Sequence, residues 1–153
     1  MPDPLSLVVF SLDEQRYALR LASVERTVRM VEITSLPRAP EIVLGVIDAQ
    51  GEIMPVLDIR RRFRLPERQP GIADQLIMAR TARRSVALVA DAVVDVVTLP
   101  VDELVAPASI LPQLDYVAGV ARLDDGMVFI HDLDAFLSLE EEQALATALT
   151  ANG

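Results

Sequence analysis

The chain has 153 residues, of which 52% are hydrophobic, a formal net charge of −9, and no cysteine. That length suits one compact unit or two small units buried against each other. It has no thiol for a disulfide or thiolate metal site, and its single histidine, His131, cannot anchor a multi-histidine centre. Its acidity opposes nucleic-acid binding, which needs a basic surface to replace phosphate counterions.

In chain order, the start of the sequence shows no basic leader. No stretch approaches the roughly 18 apolar residues of a membrane helix, so a cytoplasmic chain without direct membrane insertion is predicted. Leu5–Leu12 predicts a strand, Asp13-Glu14-Gln15 a turn, and residues 16–21 a returning strand. Tyr17, Leu19 and Leu21 then share one face and Arg16, Ala18 and Arg20 the other, giving a hairpin with one wet side. Residues 23–33 are rich in Val, Thr and Ile and predict a further strand. Pro37 and Pro40 interrupt the chain before a second hairpin, residues 42–49 and 52–59, which turns at Gln50-Gly51. Gly51 can take the positive φ such a turn needs, and Pro55 in the return strand suits an edge or bulge.

Residues 65–74 hold Pro66, Pro70 and Gly71 and read as a connection. Beyond it the pattern recurs. Residues 76–80 and 85–90 form a hairpin across Ala82-Arg83-Arg84, and residues 93–99 form a strand. Residues 100–112 read as a loop with one short helical turn. Residues 116–123 and 127–130 form a hairpin across Asp124-Asp125-Gly126. The last element is a helix over residues 139–150, with Ser138 and Glu141 in capping-box spacing and Leu145, Ala148 and Leu149 as its apolar stripe.

The recurrence is internal repetition. Gly45-Val46 returns as Gly119-Val120 and Asp58-Ile59 as Asp132-Leu133, 74 positions on (119 − 45 and 132 − 58). Further towards the N-terminus, Tyr17-Ala18-Leu19 returns as Val86-Ala87-Leu88 at an offset of 69 (86 − 17). Two similar halves predict two similar units. About ten strands, five per half, predict a mainly β protein of two small barrels side by side, a form that closes exposed edges.

Catalytic motifs are absent: there is no Gly-rich phosphate loop and no nucleophile elbow. Asp58 and Asp132 each follow a strand and precede a helical turn, where Asp is a favoured cap. Gly51, Asp58, Gly126 and Asp132 are therefore assigned structural turn and cap roles, and no catalytic, metal or cofactor residue is assigned. His131 is expected to be a hydrogen-bonded structural histidine. A hydrolytic or small-molecule barrel using Asp58, Asp132 and His131 is the rival of a different class. The basic run Arg60-Arg61-Arg62 with Arg64 and Arg68 reads as a solvated turn and loop, or else as a docking patch for an acidic partner.

The chain resembles CheW, the coupling protein of bacterial chemosensory arrays, over about residues 7–137. The resemblance is carried by Phe10-Ser11-Leu12 with Tyr17, by Val24, by Leu36-Pro37 and Pro40, and most strongly by the run from Gly45 to Arg60. Ala87-Leu88-Val89-Ala90-Asp91-Ala92-Val93, Gly119-Val120 and Asp132-Leu133 complete it. The resemblance implies one CheW-like domain over residues 1–153, built as two intertwined five-stranded SH3-like β-barrels, roughly residues 5–65 and 75–137, with a C-terminal helix. It implies no enzymatic activity. It implies two partners: the regulatory domain of the histidine kinase CheA and the cytoplasmic tips of methyl-accepting receptors. By the same resemblance, receptor contact uses the groove between barrels, here Val24, Arg26, Gly45, Asp48 and Gln50. Arg26 lies two residues beyond Val24, so on a regular strand the two share a face. Two departures stand out. The family usually has Asn-x-Arg-Gly where this chain has Asp48-Ala49-Gln50-Gly51, and an acidic residue where it has Arg26. Such changes point to altered receptor pairing, including service in a pilus or second-messenger pathway.

Overall fold

The computed structural model describes residues 4–100, 103–105, 117–123 and 126–152. Within them the chain forms β1 (Leu5–Leu12), β2 (Gln15–Arg20), β3 (Val24–Arg29), β4 (Val43–Ala49), β5 (Glu52–Leu57) and the one-turn helix α1 (Ile59–Arg62). It continues through β6 (Gln75–Arg80), β7 (Ser85–Ala90), β8 (Ala92–Leu99), β9 (Leu104–Val105), β10 (Val117–Leu123), β11 (Gly126–His131) and α2 (Leu139–Asn152). Most strands match stretches rich in Val, Ile and Leu, which favour a pleated, packed surface. The return strand of the second hairpin stops at Leu57 rather than Ile59, because Asp58 caps α1. Leu104–Val105 forms a short strand where the sequence predicts loop. The Asp124-Asp125 turn and most of residues 100–112 lie outside the described residues.

The strands do not sort by sequence halves. One sheet runs β8-β1-β2-β11-β10-β9 and the other β3-β6-β7-β5-β4. The second sheet is therefore built from residues 24–90, and the first from the two ends of the chain. Barrels over residues 5–65 and 75–137 do not describe this arrangement, because β1 and β2 pair with strands of the second half and β6 and β7 with strands of the first. The exchange is made through two parallel pairings, β2 with β11 and β5 with β7, and two antiparallel ones, β1 with β8 and β3 with β6. Repetition fixes which residues are buried, but not which copy buries them.

The apparent excess of strands in the first sheet is small. β9 extends the path of β8 and pairs through Val105 and Val120. In the other sheet Thr34 pairs with Val46, the repeat-equivalent of Val120. The two sheets thus share a five-strand plan, each with one short further pairing, onto β10 or β4.

Three apolar clusters fill this frame. Leu7, Val9, Ala18, Leu99, Ala121, Val128 and Ile130 belong wholly to the first sheet. Ile47, Met54, Val56, Leu76, Met78 and Ala87 belong wholly to the second. All six of the latter have repeat-equivalents in the former, at 69 or 74 positions' offset. The largest cluster lies between the sheets and takes Phe10, Tyr17 and Leu19 from one, Ile77, Val86 and Leu88 from the other, and Leu145 from α2. Both faces of each sheet are therefore buried. This overturns the expected wet side of the β1–β2 hairpin at its middle, since Ala18 is fully buried in the first sheet's own core. Leu21, placed on the dry face by alternation, is half-exposed because the strand ends at Arg20 and a 3-10 turn, Leu21–Ser23, follows.

α2 opens with a reciprocal pair. The Glu141 amide donates to Ser138 Oγ (3.1 Å), and the Ser138 amide donates to Glu141 Oε1 (2.9 Å). These satisfy two of the orphan donors at the helix start.

Cutting the chain near Gly71 separates β6 and β7 from the strands that flank them, and β1 and β2 from theirs. Neither fragment keeps a complete sheet. We predict that each is unfolded alone, and that mixing restores β-type circular dichroism. A cooperative thermal transition in either isolated fragment would contradict the exchanged topology.

Candidate partner-binding surface

The β4–β5 hairpin tip is held from within. Gln50 and Gly51 both take positive φ, 56° and 90°, as a tight type I′ turn requires. The Gly51 amide donates to Asp48 Oδ1 at 2.8 Å, so Asp48 spends one carboxylate oxygen fixing the turn. The side chains of Asp48 and Gln50 are otherwise exposed, as is Ile53 on the return strand.

Gly45 sits at a bulge in β4. It is buried where the segment after β3 crosses: the Val46 amide donates to the Thr34 carbonyl (2.8 Å) and the Thr34 amide to the Val46 carbonyl (2.9 Å). A Cβ on Gly45 would lie 2.3 Å from that Thr34 carbonyl oxygen. Only glycine permits the approach that joins the sheet's two outer strands.

Val24 and Arg26 do not share a face. A bulge lies between them, so Val24 pairs with Ala79 and Arg26 with its neighbour Met78. The extra residue inverts the strand's alternation. Val24 packs toward the cluster between the sheets. Arg26 is exposed and turns to the other side, its Nε 3.2 Å from Met78 Sδ. The five receptor-site candidates therefore lie on β3, β4 and the adjoining turn of one sheet. Three of them, Arg26, Asp48 and Gln50, present polar side chains to solvent.

Asp58 Oδ1 accepts from the Arg60 amide (3.0 Å) at the start of α1. Asp132 Oδ1 accepts from the Ala135 amide (3.4 Å) in the equivalent 3-10 turn. Gly126 opens β11 with φ of 138°.

The basic run is solvated at Arg61, Arg64 and Arg68, as a turn and loop would be, but not at Arg60. Arg60 is buried, with 7% of its side chain exposed. Its Nη1 donates to Asp13 Oδ2 (2.8 Å) and the Pro66 carbonyl (3.2 Å), and its Nη2 to both oxygens of Asp91 (2.7 and 2.8 Å). Arg68 pairs with Asp74 and Asp91, Arg62 with Glu141, and Arg61 with Asp58, Glu41 and Glu67. Arg64 stays exposed. The Asp13 amide also donates to Asp91 Oδ2 (2.8 Å). Asp13 and Glu14 form the β1–β2 turn with φ of 57° and 94°, a conformation that costs non-glycine residues about 1–2 kcal/mol each. The ion cluster holds that turn. Burial alone would raise the Asp91 pKa. Arg60, the Asp13 amide and Arg68 outweigh it and hold the carboxyl below its ordinary value.

The ring of His131 is not hydrogen-bonded to any described residue. It is 3% exposed, and neither ring nitrogen has a partner among the described residues. Its ring packs against Phe63 and Phe136, with centroids 5.2 and 5.0 Å away. It stands where the other repeat places Leu57, which explains an apolar setting for a polar ring.

Among the described residues no group of three or more acidic or histidine side chains could hold a metal ion, and no helix is long and apolar enough to cross a membrane. The fold and its hairpin surface define a module of paired SH3-like β-barrels. The chain belongs to the family of the CheW-like domain, whose model matches residues 6–141. It is 27% identical over 141 residues to a probable chemotaxis protein CheW of Rhizobium etli, covering 90% of each chain. It is 26% identical over 140 residues to chemotaxis protein CheW of Rhizobium meliloti, again covering 90% of each. The crystal structure of the scaffolding protein TtCheW from Thermoanaerobacter tengcongensis superposes with a TM-score of 0.81, at 30% identity and 92% coverage of both chains.

Gly45→Ala is expected to destabilise the chain by about 1–3 kcal/mol, the usual cost of overpacking a tight site, measured by urea unfolding; an unchanged midpoint would show that β4 can yield. Asp91→Asn is expected to cost about 1.5–3 kcal/mol, as a hydrogen bond to a charged group does. The half-exposed Asp13→Asn should cost under about 1 kcal/mol. Because the folded state lowers the Asp91 pKa, its contribution is complete above the unfolded value near 3.9 and is lost as pH falls below it. Equal losses for the two variants would argue against Asp91 as the centre of the cluster.

Proposed function

We propose that this chain is a non-enzymatic cytoplasmic adaptor. It couples the cytoplasmic tips of methyl-accepting chemoreceptors to the regulatory domain of the histidine kinase CheA, and reaches the membrane only through those partners. The observation that carries this reading is likeness to a scaffolding protein over nine-tenths of both chains, in sequence and in fold. The disposition of its ionisable groups agrees. Asp58 and Asp132 are engaged as caps, His131 is enclosed, and the arginines following Asp58 are largely paired within the molecule. Asp58 and Asp132 each hold a backbone amide, which favours the adaptor over a hydrolytic barrel built on Asp58, Asp132 and His131. With a net charge of −9 and that basic run neutralised internally, nucleic acid is not a partner in this reading.

For the receptor contact we propose the surface around Val24, Arg26, Gly45, Asp48 and Gln50. Gly45 and the β3 bulge set its shape, while Arg26, Asp48 and Gln50 set its charge. Relative to the family pattern, a positive charge is missing at Gln50 and an added one stands at Arg26. Charge at an interface tunes partner choice and on-rate more than bulk affinity. A divergent receptor or a non-chemotaxis chemosensory pathway is therefore the second form of this reading.

Calorimetric titration with a receptor-tip fragment and with the CheA regulatory domain tests both. The double change Arg26→Glu with Gln50→Arg is expected to strengthen binding to ordinary chemotaxis receptor tips, weaken binding to the native receptor, and leave kinase binding nearly unchanged. Equal affinities of wild type and double variant for both receptors would reject the charge reading. Absence of kinase binding in both proteins would reject the adaptor.

A further inference from the structure

We propose that the seam between the two sheets is proton-sensitive, because the imidazole of His131 must leave its aromatic box to be protonated. The box is built from several elements. Phe63 follows α1 and meets the His131 ring edge-on at an interplanar angle of 77°. Phe136 follows the Asp132-capped turn and closes another side. Tyr17 of β2 stacks on Phe63 with centroids 4.8 Å apart. These rings hold the two sheets and α1 together around His131. An imidazolium there would be a buried charge with no acceptor among the described residues, an arrangement proteins avoid.

The charged groups around the box do not relieve this. From α1, Arg62 places its guanidinium carbon 5.3 Å from the Phe136 ring centroid, and its Nη2 donates to Glu141 of α2. That places a cation near the imidazole and engages Glu141 with it. From the segment that follows β11, Asp132 and Asp134 are occupied by the amides of Ala135 and Ala82. From β2, Arg20 adds another positive group beside the exit, and Tyr17 is neutral at physiological pH. Burial first, and Arg62 second, hold the His131 pKa down at about 3.

An exit exists. A cavity of about 140 Å³ adjoins His131 and is lined by Arg20, Ser23, Asp132 and Asp134 among others. A ring that moves into it when the seam opens reaches water. It then vacates the place that Leu57 fills in the other repeat, and loosens the contact between sheets.

The sign is fixed by linkage. The unfolded chain takes up a proton near pH 6.5, while the folded chain with His131 enclosed does not. Stability is therefore complete above that pH and falls below it. Between pH 7.5 and 5.5 the folding equilibrium constant should drop about tenfold. Comparison with His131→Leu isolates the histidine from every other titrating group.

The test is urea unfolding of the full chain at pH 7.5, 6.5 and 5.5, with wild type and His131→Leu, together with the His131 ring C2–H resonance. One histidine in the chain makes that resonance unambiguous. Wild type is expected to lose about tenfold in its folding constant while His131→Leu changes less than twofold. The folded-state ring signal is expected not to titrate down to pH 5.5. A ring that titrates near pH 6.5 in the folded protein would overturn the proposal, as would a wild-type slope retained in His131→Leu. If His131→Leu fails to fold, the ring resonance decides alone.

Discussion

Everything in this structure depends on the apolar seam between the two sheets. A free-standing small barrel buries only its inside. Here the outer faces of both sheets are buried too, because Phe10, Tyr17 and Leu19 on one meet Ile77, Val86 and Leu88 on the other. Each such side chain contributes about 1.5–3 kcal/mol when fully withdrawn from water. A core within one sheet of about half a dozen buried aliphatics would be marginal by itself. The seam makes the two sheets one cooperative unit, and the exchange of strands between repeats makes that unit hard to divide.

The pseudo-symmetry of the repeat explains where polar groups gather. Arg62 and Phe136 are repeat-equivalents and lie against each other, as residues near a pseudo-twofold axis do. Arg60 and Asp134 are also equivalents, and each reaches the tip of the neighbouring hairpin: Arg60 to Asp13 by a charge pair, Asp134 to the Ala82 amide. The same tie is thus made twice with opposite polarity. The copy that uses Arg60 recruits Asp91 and Arg68 and steadies a turn with two non-glycine residues at positive φ. The other copy manages with one neutral donor and a threonine-held turn, in which Thr81 Oγ1 accepts from the Arg83 and Arg84 amides.

Much of the strand pattern could be read from the sequence, because alternation, turn glycines and internal repetition are local signals. The hairpins around Asp13 and Gln50, the Ser138 capping box and the turn following Asp58 all have such signals. What failed was tertiary. Ala18 looks like part of a wet face by alternation with Arg16 and Arg20, yet the first sheet curls its own core over it. The β3 bulge adds one residue and so inverts the face of Arg26, and no residue type announces it. The carboxylate partners of Arg60 lie 31 and 47 positions away in the chain, so the sequence does not show that this one arginine of an otherwise largely exposed run is enclosed. For His131, sequence indicates a strand end but not the aromatic rings of α1 and the C-terminal turn that surround it. For the candidate site, residue identities come from the family pattern, while the roles of Gly45 and Asp48 in shaping it required the structure.

A small acidic module with most of its Arg60–Arg68 basic run paired internally, and with an exposed hairpin tip on one sheet, is suited to holding other proteins in register. The central claim is that it holds two different proteins at once. Sedimentation velocity on an equimolar mixture of this chain, a receptor-tip fragment and the CheA regulatory domain tests that most directly. The account predicts a ternary species that sediments faster than either binary complex. Two binary complexes that exclude each other, or a chain that sediments alone in the presence of both, would contradict it.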